Sequence, residues 1–278
     1  MPLSRFDRNY RLTVQVGDGR SVIVRPPIRV SFSADKSVSG GLNKMTIRVS
    51  NLKESNRLAV RKDKEETDKR IPLSFEVGYK GSLHLLFKGT VHRGENFREG
   101  PNLITELECL DGGHDYINSF SARTVKGKDE AVNAILSDMP NTQRGKLTTQ
   151  EPLVRPRILV GSSARLIDQL LDEGQTWYID EERLYIIQDD EVISSYVPVV
   201  SAATGLLSTP TREQRRVTFE TQMNLTLRPA GLCQLISSEA PHLNGIYKID
   251  RMGYSGDNYG TDWKQEIVAI LAGNYKVL

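Results

Sequence analysis

Apolar and polar positions alternate with period two over most of the chain, the pattern of strands with one buried face. It is clearest over residues 217–227, where Val217, Phe219, Thr221, Met223, Leu225 and Leu227 share one side and mostly polar residues the other. The spacing predicts a single strand over that whole run, with Leu225 in the core. Arg228-Pro229-Ala230-Gly231 then breaks the ladder, because proline lacks an amide hydrogen and glycine tolerates the turn. Return strands are predicted at 232–236, 245–252 and 263–271, with the polar, glycine-rich segment 253–262 as a loop. Four strands with such short turns suit a small barrel or sandwich better than an α/β core.

The first hundred residues carry the same period. Leu12, Val14 and Val16 turn through Gly17-Asp18-Gly19-Arg20 into Val22 and Val24, a hairpin pattern. Ile28, Val30 and Phe32 begin a run that fades into the polar segment 33–41, and Met45, Ile47 and Val49 follow. Residues 51–68 interleave acids and bases, which predicts a short solvated helix or loop and not a basic binding patch. Ile71 to Val91 gives a second hairpin turned at 80–82, and a polar segment at 92–101 separates it from Leu103, Thr105, Leu107 and Cys109.

Between these regions the period changes to that of helices. Ala131, Val132, Ile135 and Leu136 share a face that Pro140 ends. Residues 141–158 read as an extended connector, and Ser162-Ser163 caps a second helix with an Ala164, Leu166, Ile167, Leu170, Leu171 stripe that Gly174 ends. Residues 176–187 read as an aromatic hairpin turned at Asp180-Glu181-Glu182, and 188–215 as loops. The expected fold is mainly β with an α+β middle: a first small antiparallel β-barrel at 1–112, a helix and hairpin connecting region at 113–215, and a second β-barrel at 216–278.

Composition narrows the function. The 278 residues carry 37 Lys plus Arg against 35 Asp plus Glu, a formal charge of +2 that gives no reason to expect binding to nucleic acid or an acidic membrane. Cys109 and Cys233 suit buried free thiols of a reducing compartment. No run approaches about eighteen apolar residues, so a soluble chain without a secretory signal is expected. His84, His92, His114 and His242 form no local zinc pattern, and neither a nucleophile elbow nor a phosphate loop is present. Asp111-Gly112-Gly113 reads as a turn, with no strong helical pattern behind it. Asp257 and Asp262 lack the ligand spacing of a calcium loop. Asp172-Glu173, Asp180-Glu181-Glu182 and Asp189-Asp190-Glu191 read as solvated charges at turns, so neutralising Asp180, Glu181 and Glu182 together is expected to cost nothing. No catalytic, cofactor-binding or metal-binding residue is expected.

Several short motifs stand in a particular order: Asn51-Leu52, Gly78-Tyr79, Phe87-Lys88-Gly89, Asp111-Gly112, a helix with an acidic-turned aromatic hairpin, Gly205 to Pro210, Gly256-Asp257 and Asp262-Trp263. That series resembles the baseplate hub proteins of contractile-tailed bacteriophages, the tail hub or late control protein D-like family. The resemblance implies a structural virion protein: a homotrimer of two-barrel chains whose six similar faces meet the hexameric tail tube while its threefold axis meets a trimeric central spike. Baseplate wedge proteins or a tape measure would be further partners, with assembly in the host cytoplasm. Because the chain ends at Leu278, a separate spike protein is expected. A non-phage injection particle or secretion-system spike base, and a tail-associated wall hydrolase, are the alternatives.

Overall fold

Strands from both ends of the chain pair into one continuous sheet, to which the middle region adds a separate layer with its own core. The computed structural model describes residues 7–39, 41–79, 81–148 and 155–278. In chain order the first part holds β1 (Arg8–Gln15), β2 (Ser21–Val24), β3 (Val30–Ser37), β4 (Gly41–Leu42), β5 (Lys44–Ser50), α1 (Glu54–Ala59), β6 (Pro72–Tyr79), β7 (Ser82–Glu99) and β8 (Asn102–Leu110). The middle holds α2 (Gly113–Asn118), β9 (Phe120–Val125), α3 (Lys128–Ser137), β10 (Gln143–Leu147), β11 (Arg157–Ser162), α4 (Ser163–Leu170), β12 (Gln175–Asp180) and β13 (Arg183–Gln188). Then come β14 (Glu191–Val192), β15 (Val199–Val200), β16 (Thr211–Glu213), β17 (Arg216–Gln222), β18 (Leu232–Leu235), β19 (Gly245–Asp257), β20 (Trp263–Leu271) and β21 (Lys276–Val277).

The main path runs β16-β17-β20-β19-β3-β5-β8-β7-β6-β1-β2, with β18 and β15 branching from β19. Its joint is the antiparallel pair β3–β19, in register from Ser31 opposite Asp257 to Ser37 opposite Arg251. The buried cluster is continuous across that joint: the Phe32 ring lies edge-on to Phe75 at 4.9 Å and to Trp263 at 5.5 Å. A second cluster, including Val132, Ile135, Leu166, Ile167, Trp177 and Ile179, packs α3 and α4 against β11, β12 and β13.

Four strand boundaries differ from the sequence expectation. β3 continues to Ser37 because Lys36, at an inward position of a polar-looking stretch, is paired in the interior. β7 runs through the polar segment to Glu99, because cross-strand charges replace apolar contacts there: Arg93 pairs with Glu108, and Arg48 with Glu99 and Glu106. β19 continues through Gly253 to Asp257, and only 258–262 form the loop. There Gly256 is required by close approach, since a Cβ would lie 2.4 Å from Phe32 Cε1 and 2.9 Å from Trp263 Cε3.

The fourth difference is β17, which stops at Gln222. Met223 and Leu227 are still buried, but Leu225 sits in a turn and is only half-buried. Leu225→Ala should therefore cost less than the about 2–5 kcal/mol of a fully buried leucine. A loss within that range in urea titration would place the side chain back in the core.

In the middle region, α4 ends at Leu170, ahead of Gly174, and Ser162 is its N-cap without a side-chain cap bond. Part of the expected connector forms β10, parallel to β13, while residues 149–154 of it lie outside the described residues.

Candidate functional site

The acidic turn of the β12–β13 hairpin gathers hydrogen bonds and ion pairs from both ends of the chain. Glu181 and Glu182 both take left-handed backbone, φ 56° and 58°, a geometry that tight hairpin turns usually give to Asn or Gly. The Asp111 carboxylate compensates: it accepts the Glu181 amide at 2.6 Å and the Glu182 amide at 2.7 Å. Lys36, only 4% exposed, donates from Nζ to Asp180 Oδ1 at 2.6 Å, and Asn43 Nδ2 donates to the Ile179 carbonyl at 2.9 Å. Glu182 pairs with Arg70 at 3.0 Å and Lys88 at 2.9 Å, and Glu181 with Arg228 at 3.1 Å. The hairpin tip is thus plugged into side chains from both ends of the chain.

Burial alone would pull the Lys36 ammonium down. Asp180, with Tyr254 and Asp111, outweighs that and holds it above its ordinary value. The Asp111 carboxyl is pushed up by burial and by Asp180, against Lys36 and its two amide donors.

This arrangement corrects two expectations. Asp180 and Glu182 are buried and paired, not solvated, so neutralising the triad would leave Lys36, Arg70 and Lys88 without their partners. Behind Asp111 a six-residue helix, α2, does begin, with Gly112 as its left-handed N-cap at φ 65°. A Cβ on Gly112 would also meet Ile179 at 2.7 Å, which ties α2 closely to the hairpin. Chemically the cluster holds elements together, because its carboxylates are committed to amides and cations.

Lys36 and Asn43 were not singled out by the sequence, although one signal was available. Lys36 falls on the same face as Val30, Phe32 and Ala34, so period two already sets a charge at a core position.

The other motif residues are spread along the sheet. Asn51, with φ 55°, ends β5 and accepts the Leu103 amide through Oδ1 at 2.9 Å, and Leu52 beside it is buried. Gly78 and Tyr79 close β6, opposite Leu83 and Ser82. Gly205, at φ 111°, and the buried Pro210 lead into β16. Gly256, Asp257, Asp262 and Trp263 meet at one end of β19–β20. There Asp257 accepts the Tyr259 and Gly260 amides at 2.9 and 3.0 Å and pairs with Arg29 at 2.8 Å. Arg8 donates across the same loop to the carbonyls of Asp257 at 2.8 Å and Thr261 at 2.7 Å.

Cys109 and Cys233 are free and buried, and burial raises both thiols. Among the described residues no group of three or more His, Cys, Asp or Glu could hold a metal ion, and no helix is long and apolar enough to cross a membrane. A cleft of about 600 Å³ opens beside Lys248, whose Nζ donates to the carbonyls of Gln188 at 3.3 Å and Asp189 at 3.0 Å.

His92 is lowered by burial, then by Lys64 and Lys62. A depressed imidazole contributes stability above its unfolded value of about 6.5 and loses it as pH falls through the folded value. His92→Gln should therefore flatten the decline of the urea midpoint below that pH. An unchanged slope would assign the decline to other groups.

Compared with known proteins, residues 10–264 match the family described as baseplate hub gp41. The chain belongs to the baseplate hub gp41 family. No curated protein sequence matches it. Solved structures share the fold at low identity. A tail protein from Neisseria meningitidis MC58 is 11% identical with a TM-score of 0.66, over 96% of this chain and 98% of that one. The 43 kDa tail protein of prophage MuSo2 from Shewanella oneidensis is 10% identical with a TM-score of 0.65, over 94% and 97%. An E. coli component of the type VI secretion system, described as similar to T4 bacteriophage tail proteins, is 11% identical with a TM-score of 0.64, over 94% and 78%. Membership of the baseplate hub gp41 family makes this a baseplate hub structural protein, and its fold is mainly β.

Proposed function

We propose that this chain is the subunit that adapts a hexameric tail tube to a trimeric central spike, acting as a homotrimer in which each chain presents two barrel-like halves. The observation that carries the reading is that the family match spans residues 10–264 and so takes in both halves of the sheet on either side of β3–β19. A sixfold-to-threefold change needs a subunit with two similar faces, and a ring of three closes only through head-to-tail contacts. The partners are then further copies of the chain, the tail tube protein, the spike, and wedge or tape-measure proteins, in a virion assembled in the host cytoplasm. The role is structural and without catalysis, so the purified protein should leave peptidoglycan intact. The fold shared with the type VI component favours one second reading, the spike base of a non-phage injection machine, which gene neighbours would distinguish.

Light scattering on the full chain tests the assembly. At micromolar concentration, alone or with its cognate spike, it should give three times 31.2 kDa. A chain that stays monomeric with the spike present, or forms a stable dimer or tetramer, would refute the adaptor reading.

A further inference from the structure

The ribbon β9–β11 is unlike the rest of the surface. The two strands pair antiparallel from Phe120 opposite Ser162 to Val125 opposite Arg157, and form a separate two-stranded sheet. Its inner face, with Ser121, Val125 and Leu159, is buried, the two apolar residues packing in the core with α3 and α4. Its outer face leaves Phe120 61%, Ile158 77% and Val160 61% exposed. Scattered exposed apolar residues are ordinary, but three large ones on one face of two paired strands form a patch.

The charge around that patch is one-sided. The two strands with the flanking Lys126 and Arg155 hold four basic residues, Arg123, Lys126, Arg155 and Arg157, and no acidic one, in a chain of net charge only +2; the neighbouring carboxylate of Glu130 accepts the Lys126 amide at 2.9 Å. Arg123 is neutralised by Asp138 at 2.5 Å. Arg157 bonds only to the Gln169 carbonyl, at 3.5 Å, and the side chains of Lys126 and Arg155 have no carboxylate partner among the described residues. Arg157 lies opposite Val125 in the last pair of the ribbon, and Lys126 follows Val125 directly, so the two cations belong to the same end. Among the described residues, the outer edges of both strands also make no ladder with any other strand.

We propose that this ribbon docks an extended acidic segment of a partner protein, added as a further strand. Such a segment would pair the open backbone edge, set alternate apolar side chains beside Ile158 and Val160, and place its carboxylates against the unpaired arginines. Ribbon against ribbon from a second copy would instead bring like charges together, which argues for an acidic partner. The inference is independent of whether the chain trimerises.

The test uses the full chain and a fluorescein-labelled peptide alternating Glu and Val, with a Lys–Val peptide as its charge control, read by anisotropy. The Glu–Val peptide should bind and weaken as salt rises, and the Lys–Val peptide should not bind. Ile158→Asp should weaken binding at least about tenfold, as should Arg155→Glu combined with Arg157→Glu; at such exposed positions melting should stay near that of the unsubstituted chain. No binding of the Glu–Val peptide, equal binding of both peptides, or binding indifferent to Ile158→Asp and to the double arginine change would overturn the proposal. So would a fall in the mass of the chain on Ile158→Asp, which would assign the patch to a second copy.

Discussion

Lys36→Met should cost about 3–5 kcal/mol, because it removes one partner of a buried pair and leaves the other charged in the interior. Asp180 is 5% exposed and Asp111 fully buried, so neither carboxylate can turn to water for compensation. The loss should depend on pH. Asp111 is already held above its ordinary value by burial and by Asp180. A carboxyl raised in the folded state favours folding below its unfolded value of about 3.9, and loses that contribution as pH rises through the folded value. Without Lys36 this cost grows, so the deficit should be larger at pH 8 than in mild acid. Replacing both partners, Lys36→Met with Asp180→Leu, should recover much of the loss. Urea denaturation of the three proteins at two pH values measures this, and a single-variant loss below about 1 kcal/mol, the range of an exposed pair, would mean the pair is not buried.

Phe32→Ala should be comparably damaging, at about 3–5 kcal/mol. Its ring is the contact between Phe75, from the first part of the chain, and Trp263, from the last. Gly256 leaves the space that the ring fills. Gly256→Ala alone should destabilise by overpacking, by about 1–3 kcal/mol. Combined with Phe32→Ala it should cost less than the sum, since truncating the ring makes room for the new methyl group. Additive losses in a double-mutant cycle would place the two residues apart.

Much of this was legible in the periodicity. The hairpins β1–β2, β6–β7 and β12–β13, the strands β5, β8 and β20, and helix α3 stand close to where alternation or helical spacing sets them. Those elements depend on neighbours in sequence and on a single buried face. What was missed depends on partners far away. The polar half of β7 is a strand because Arg93 meets Glu108 of β8 and Glu99 meets Arg48 of β5, and Gly253 to Gly256 lie in β19 because Asp35, Ala34, Ser33 and Phe32 pair with them in turn. The charged turn at Asp180-Glu181-Glu182 is buried because Lys36, Asn43, Arg70, Lys88 and Asp111 converge on it from separate strands and loops. Charge content alone reads such a turn as solvated, since local sequence does not carry the distant cations.

The β3–β19 joint also bears on how the chain reaches its fold. The residues paired there lie more than 200 positions apart, Ser37 with Arg251 and Ser31 with Asp257. During synthesis β3 emerges early and keeps one bare edge until nearly the whole chain has left the ribosome. Pairings of such long range are slow to form, and an unpaired edge invites the wrong neighbour in the interval. Premature termination before β19 should thus leave that edge of β3 bare and yield aggregates.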